Sequence, residues 1–181
     1  MITLTAALIL IPAQSVKPSL PTSLVDTQGR RVIPIADPKA SGSVLIFVID
    51  GCPIARTYSP EINRLQAKFA PQKLPIYLVF AEPGITKSTV NSLRKDFKLQ
   101  PPAIINRDLA IQAGIIAVPT AVLFDHQGHV RYQGRIDDRF PALGVQRTPR
   151  RADLQIAIEQ YLAGKPITVP KTTAIGCLLP N

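Results

Sequence analysis

Tryptophan is absent from the 181 residues, methionine occurs once, and histidine and cysteine occur twice each. Without Trp, and with Lys and Arg scattered along the chain, there is no aromatic-interleaved basic surface on which single-stranded nucleic acid could stack. The 21 basic against 12 acidic residues, a formal charge of +9, therefore suit an acidic partner or an anionic surface and do not point to nucleic acid. No GxGxxG or phosphate-loop pattern is present, and no Ser, Lys or carboxylate constellation for hydrolysis stands out. Internal repeats and low-complexity segments are also missing. The N-terminal apolar run in MITLTAALILIPAQS is too short to span a bilayer. Proline shows the opposite bias: 18 residues, about twice the usual ~5% share, argue against a long-helix bundle, coiled coil or helical repeat.

The N-terminal run ends in small residues near Ala13 and reads as a secretory signal peptide without a basic leader, with a buried N-terminal strand as the other reading. Residues 19–34 read as a hairpin or edge element turning at Gln28 and Gly29. SVLIFVID, residues 43–50, is a continuous apolar run rich in β-branched side chains, as expected of a strand buried on both faces. Cys52 and Pro53 open a helical pattern of Ile54, Tyr58, Ile62, Leu65 and Phe69, within which Pro60 predicts a kink or interruption.

PIYLVFAE predicts a second buried strand, followed by helices over 85–99 and 107–115. Residues 117–137 predict two antiparallel strands turning at 126–128, where His126 and His129 read as an exposed turn rather than a metal site. A last helix is expected over 150–162, stopped by Gly164. This order predicts an α/β plan of parallel strands joined by crossover helices. Chemistry in such sheets gathers at the carboxyl ends of the strands, and Cys52 follows one.

The strand running into GCP, the AVPT before the hairpin, YQGRIDD, the final helix and the ending TTAIGC together resemble the thioredoxin-like superfamily. Within it they are closest to the bacterial redoxin branch related to alkyl hydroperoxide reductases and thiol-specific antioxidants. The resemblance covers roughly residues 43–164. It implies a three-layer fold with a central mixed sheet flanked by helices, and a cis Val118–Pro119 bond beside the reactive cysteine. It also makes Arg135 and Asp137 candidates near the site. The expected organisation is a signal peptide and leader over 1–18, the thioredoxin-like domain over 19–164, and an extended tail over 165–181 carrying Cys177.

A cysteine at a helix N-terminus faces unsatisfied backbone donors and the positive end of the dipole, which favour the thiolate. Arg56 or Arg135 could support it, and Asp50 would oppose it. Departures from the related machines are informative. The second cysteine of a CxxC pair falls on Ala55, that of the CxxxC of copper chaperones falls on Arg56, and the Thr that precedes a peroxidatic cysteine by three residues is Ile49. Cys177 is the remaining thiol partner. The 14 residues from Ala163 to Cys177 can reach about 46 Å extended, against a domain width of about 40 Å. A bridge closing so long a loop would constrain the unfolded chain by about 5 kcal/mol.

Three readings stay open at this stage. The first is a thiol-dependent redox protein, secreted or periplasmic, acting on a protein disulfide or a peroxide without cofactor or metal. Its catalytic set would be Cys52 as nucleophile, Cys177 as resolving cysteine, Pro119, Arg135 and Arg56. The second is a non-catalytic binding or scaffold module with a structural Cys52–Cys177 disulfide. The third is a copper-handling protein.

Overall fold

The structure is a computed structural model and describes residues 23–180, so the signal peptide expected over 1–18 lies outside the described residues. It opens with the expected hairpin, β1 (Leu24–Val25) and β2 (Arg31–Val32). The Asp26 carboxylate ties the turn by accepting from the backbone of Gln28 and Arg30 and from the Arg30 side chain.

The run GSVLIFV forms β3 (Gly42–Val48), every residue of which is buried. Alternate side chains of a strand point to opposite faces, so complete burial means that both faces of the sheet are covered. The strand β4 (Ile76–Phe80) is likewise wholly buried and lies parallel to β3. Next to it runs β5 (Ala103–Ile105), also parallel. This strand was not anticipated from the sequence, because three residues after two prolines carry no periodicity. On the other side β7 (Thr120–Asp125) pairs antiparallel with β3, and β8 (Val130–Gly134) with β7. The five-stranded order is β5-β4-β3-β7-β8, a mixed sheet with flanking helices as expected.

The helical pattern after Cys52 is split into α1 (Pro53–Thr57) and α2 (Ser59–Phe69) at Tyr58. Pro60 has no N–H to offer the preceding turn, and the Ser59 hydroxyl donates to the Arg56 carbonyl at 2.9 Å in its place. The helix α3 (Lys87–Asp96) starts at Thr86, whose hydroxyl accepts from the Thr89 N–H, and α4 (Arg107–Gln112) starts at Asn106, which caps Leu109 N–H in the same way. The last helix, α5 (Asp153–Leu162), lies against α2, joined to it by Lys68–Glu159 and Arg64–Gln155 contacts. Among the described residues no helix is long and apolar enough to cross a membrane.

Two further strands of two residues each, β6 (Ala117–Val118) and β9 (Cys177–Leu178), pair antiparallel with one another. The segment read as an extended tail thus ends as a strand of the structure. On its way it runs along β8: Gln133 N–H donates to Pro170 O and Thr172 N–H to Gln133 O, each at 3.0 Å. The Thr172 hydroxyl lies 2.7 Å from the Tyr132 hydroxyl and accepts from Arg135 N–H at 3.0 Å. An otherwise open sheet edge is covered in this way.

The segment after β8 is held by buried carboxylates. Asp137 accepts from the Tyr58 hydroxyl at 2.9 Å and from the Arg139 guanidinium. Burial first, then Asp137, pushes the Tyr58 pKa up, so this phenol stays a donor. Burial opposes ionisation of Asp138, but the N–H groups of Arg151 and Arg150 and the Arg147 guanidinium outweigh it and lower its carboxyl to about 2. A carboxyl whose folded pKa lies below its unfolded value stabilises the fold above the unfolded value of 3.8 and loses that contribution as pH falls toward 2. Asp138→Asn should therefore destabilise the protein at pH 7, and the difference from the parent should shrink between about pH 4 and pH 2. Denaturant melts across that range check this, and a difference independent of pH would refute the assignment.

Candidate functional site

Six residue pairs link β3 to β7, ending at Phe47 opposite Thr120. Because the strands are antiparallel, the residues entering β7 lie beside those leaving β3. The Val118–Pro119 peptide, which is cis as the resemblance implied, therefore stands next to the loop that leads to Cys52. The Thr120 hydroxyl donates to Ala117 O at 2.6 Å and closes this turn.

Cys52 caps the N-terminus of α1 with extended backbone, and its carbonyl accepts from Arg56 N–H at 3.2 Å. Its side chain is 1% exposed and its sulfur lies 3.7 Å from the Val118 carbonyl oxygen. Cys52 is joined in a disulfide to Cys177, with the two Cα atoms 6.0 Å apart and a sequence separation of 125. In this state neither sulfur carries a proton, so the Val118 contact becomes a hydrogen bond only when Cys52 is a thiol. Cys177 is half-buried and is the more accessible half of the bridge.

Cys177 sits opposite Val118 in the β6–β9 pair, Leu178 sits opposite Ala117, and Leu179 N–H donates to Ile116 O at 2.8 Å. Two glycines let the tail come this close. A Cβ on Gly134 would run into the backbone and hydroxyl of Thr172, and a Cβ on Gly176 would run into the Val118 carbonyl and Pro119 N. Beside the bridge, Ile116 and Leu178 are 74% and 72% exposed, an apolar rim next to the two sulfurs.

Of the expected site residues, the structure brings together Cys52, Cys177 and Pro119. Arg56 lies one helical turn from Cys52, but its guanidinium is 3.2 Å from Asp50 and 5.1 Å from the centroid of the Phe97 ring. Asp50, expected to oppose a thiolate, also accepts from Gly51 N–H at 2.7 Å, so its charge is partly met. Arg135 is engaged elsewhere. Its Nε donates to Asp153 at 2.7 Å, and although burial works against its charge, Asp153 holds its pKa up. Arg151 shares the same carboxylate, so this part of YQGRIDD anchors the start of α5 and the tail's crossing of β8.

Two participants were missed. Glu82, the residue after the buried strand run, accepts from Asp50 N–H at 2.7 Å and so fixes the loop before Cys52. Burial first raises its carboxyl pKa, and Asp50 adds to the rise while Asp50 N–H opposes it. Its position directly after PIYLVFA was the available signal. Gly176 was the other, signalled by a glycine immediately before a cysteine.

No protein-family model and no curated protein matches the chain. Solved structures do. A hypothetical protein from Sinorhizobium meliloti 1021 is 21% identical with a TM-score of 0.75, over 87% of this chain and 88% of its own. An uncharacterised conserved protein from Geobacillus kaustophilus is 20% identical with a TM-score of 0.77, over 90% and 89%. The thioredoxin domain of a thiol-disulfide oxidoreductase from Bacteroides vulgatus is 18% identical with a TM-score of 0.56, over 80% and 99%. With the sheet order above, these likenesses establish the thioredoxin-like fold.

The tail's path depends on the bare backbone of Gly134. Gly134→Ala should lift Thr172 off β8 and raise amide exchange at Gln133, Arg135 and Thr172 by about tenfold or more, with little change at β3. Unchanged protection at these three amides in hydrogen-exchange measurements would show that the close approach does not hold the tail.

Proposed function

We propose that the protein is a thiol:disulfide oxidoreductase in which Cys52 and Cys177 form the redox-active pair. The observation that carries this reading is the setting of the bridge. Cys52 caps a helix beside the cis Val118–Pro119 peptide, and its partner arrives on a two-residue strand at the edge of the fold. A permanent staple needs no such placement, whereas an exchangeable disulfide needs one half that can leave.

In the oxidised protein an incoming thiolate meets Cys177 first, since Cys52 is buried. Attack on Cys177 Sγ forms a bond to the incoming sulfur and expels Cys52 as a thiolate. The first turn of α1 offers that thiolate unpaired backbone N–H groups, which favour its departure. A second thiol then releases Cys177, and the dithiol form holds two electrons. In the other direction Cys52 attacks a substrate disulfide, one substrate sulfur leaves as thiolate, and Cys177 returns to Cys52 Sγ to expel the second.

Disulfide exchange is favoured over peroxide reduction because Ile49 stands where the latter would need a threonine hydroxyl. The apolar rim of Ile116 and Leu178 suits a protein substrate. An oxidising compartment outside the cytoplasm suits the chemistry, in keeping with the leader read over 1–18. Pro119 follows Val118, whose carbonyl faces the Cys52 sulfur, and Arg56 pairs with Asp50, offsetting a negative charge near Cys52. Arg135 acts at a distance: its guanidinium pairs with Asp153 at the start of α5, while its backbone N–H donates to the Thr172 hydroxyl of the tail.

Equilibration of the full chain in graded thiol–disulfide buffers, followed by alkylation and mass measurement, tests the reading. The midpoint is expected between about −120 and −270 mV, the range of thiol oxidoreductases. A midpoint below about −300 mV would mark the bridge as a structural staple. Cys177→Ser should accumulate a mixed disulfide with a reduced-and-reoxidised protein substrate, and Cys52→Ser should accumulate less.

A further inference from the structure

We infer that the β6 edge beside Cys52 is a peptide-binding edge that selects an extended segment of the pattern apolar-Gly-Cys-x-apolar, and that residues 175–179 are its tethered occupant. The inference rests on the redox reading above and names the substrate class that the site would take.

Among the described residues β6 has one strand partner, β9. Once the Cys52–Cys177 bond is reduced, β9 is held there only by short backbone pairing and by side-chain packing. If it leaves, Ile116 O loses the Leu179 N–H and Val118 loses the Cys177 backbone that faces it, as at any uncovered strand edge. An extended segment from another protein can take up the same pairing. The chain's own tail displays what such a segment must look like.

Gly176 is buried, and its φ is not in the left-handed region that favours glycine. Space, not backbone conformation, makes the requirement. A Cβ there would coincide with the Val118 carbonyl and press on Pro119 N, all main-chain atoms, and no rotamer change can move them aside. Val118 itself is fully buried and Pro119 is fixed by its ring. A residue other than glycine before the cysteine therefore shifts the register that brings sulfur to sulfur. Ile175 and Leu179 pack against the core on either side, whereas Leu178 points outward. The alternation of a strand gives the rest of the pattern, with apolar residues two before and two after the cysteine and a free choice in between.

A single round balances between the substrate disulfide and the protein dithiol. The Cys52 thiolate attacks the half-cystine of the Gly-Cys segment, a Cys52–substrate bond forms, and the substrate's other sulfur leaves as a thiolate. Cys177 then attacks Cys52 Sγ, and the Gly-Cys sulfur leaves as the second thiolate. The substrate disulfide gains two electrons and the protein dithiol loses them, to be restored by an external dithiol. Tail and substrate need the same edge, so the return of β9 also displaces the product strand.

The test uses the full-length double variant Gly176→Val/Cys177→Ser, whose tail cannot dock and whose single thiol is Cys52. Probes are the peptide TAIGCLLP and its Gly→Ala counterpart, each carrying thionitrobenzoate on its cysteine, with thionitrobenzoate release followed by absorbance. The glycine peptide should react about tenfold or more faster than the alanine peptide, while both react alike with glutathione. Equal rates with the protein, or no reaction with either peptide, would overturn the inference.

A second measurement keeps the intact pair. Gly176→Ala in the otherwise native chain should lower the equilibrium constant for closing the Cys52–Cys177 bridge by about tenfold or more, while Leu178→Ala stays within about twofold. A Gly176→Ala value equal to that of the parent also counts against the inference. The redox midpoint of the parent, measured separately, decides the oxidoreductase reading. Equal peptide rates with a midpoint in the enzymatic range would therefore overturn the selectivity alone.

Discussion

The antiparallel register of β3 and β7, with Phe47 opposite Thr120, brings together two stretches of chain that are far apart in sequence: the exit of a buried central strand and the entry of its neighbour. A slip of one residue would turn each side chain of a fully buried strand to the other face, so the register is strongly determined by packing. Its consequence is chemical. The Val118–Pro119 peptide comes to lie beside the helix start at Cys52, and β6, immediately before that peptide, becomes a short edge on which a further strand can sit. The disulfide, the tail's register and the exposed rim of Ile116 and Leu178 all follow from this one alignment.

The charge of the protein serves the same arrangement more than its net value of +9 suggests. Three buried carboxylates, Asp137, Asp138 and Asp153, gather Arg135, Arg139, Arg147 and Arg151 into a network spanning the segment between β8 and α5. At one end Asp137 and Arg139 enclose Tyr58, the residue at which the Cys52 helix is broken, with the Arg139 guanidinium 4.3 Å from the ring centroid. At the other end the backbone N–H of Arg135, whose guanidinium is held by Asp153, donates to the Thr172 hydroxyl of the tail. The network thus fixes both the helix that carries one sulfur and the strap that carries the other. Paired with buried partners, these arginines also contribute less to any anionic-surface binding than their number implies.

The sequence made the central parts legible for identifiable reasons. β3 and β4 are continuous apolar runs, and Pro60 breaks its helix wherever the fold places it, since a missing N–H is a local property. Cys52 was readable from GCP at a helix start, and the cis peptide only through the family resemblance that AVPT helps to carry. What could not be read was pairing at a distance. β5, β6 and β9 have two or three residues each, too few to show any period, and they exist as strands only because a neighbour is there. The destination of Arg135 was hidden for the same reason. Its partner Asp153 lies 18 residues further on, and nothing local distinguishes a guanidinium that supports a thiolate from one that anchors a helix.

The tail is held at two separate places, and this bears on how a pair 125 residues apart can act as a local dithiol. One hold is the bridge and the short β6–β9 pairing; the other is the Lys171–Thr172 crossing of β8, which includes no sulfur. Reduction removes the covalent part of the first and leaves the second intact. With Thr172 still anchored, Cys177 can move no more than about 17 Å from it, five residues at ~3.4 Å each. A thiol on so short a tether has an effective concentration in the millimolar range. For the proposed oxidoreductase cycle that is enough for Cys177 to outcompete dilute external thiols in resolving a mixed disulfide. The long loop closed by the bridge is thus divided by the Thr172 anchor into a long part and a short one.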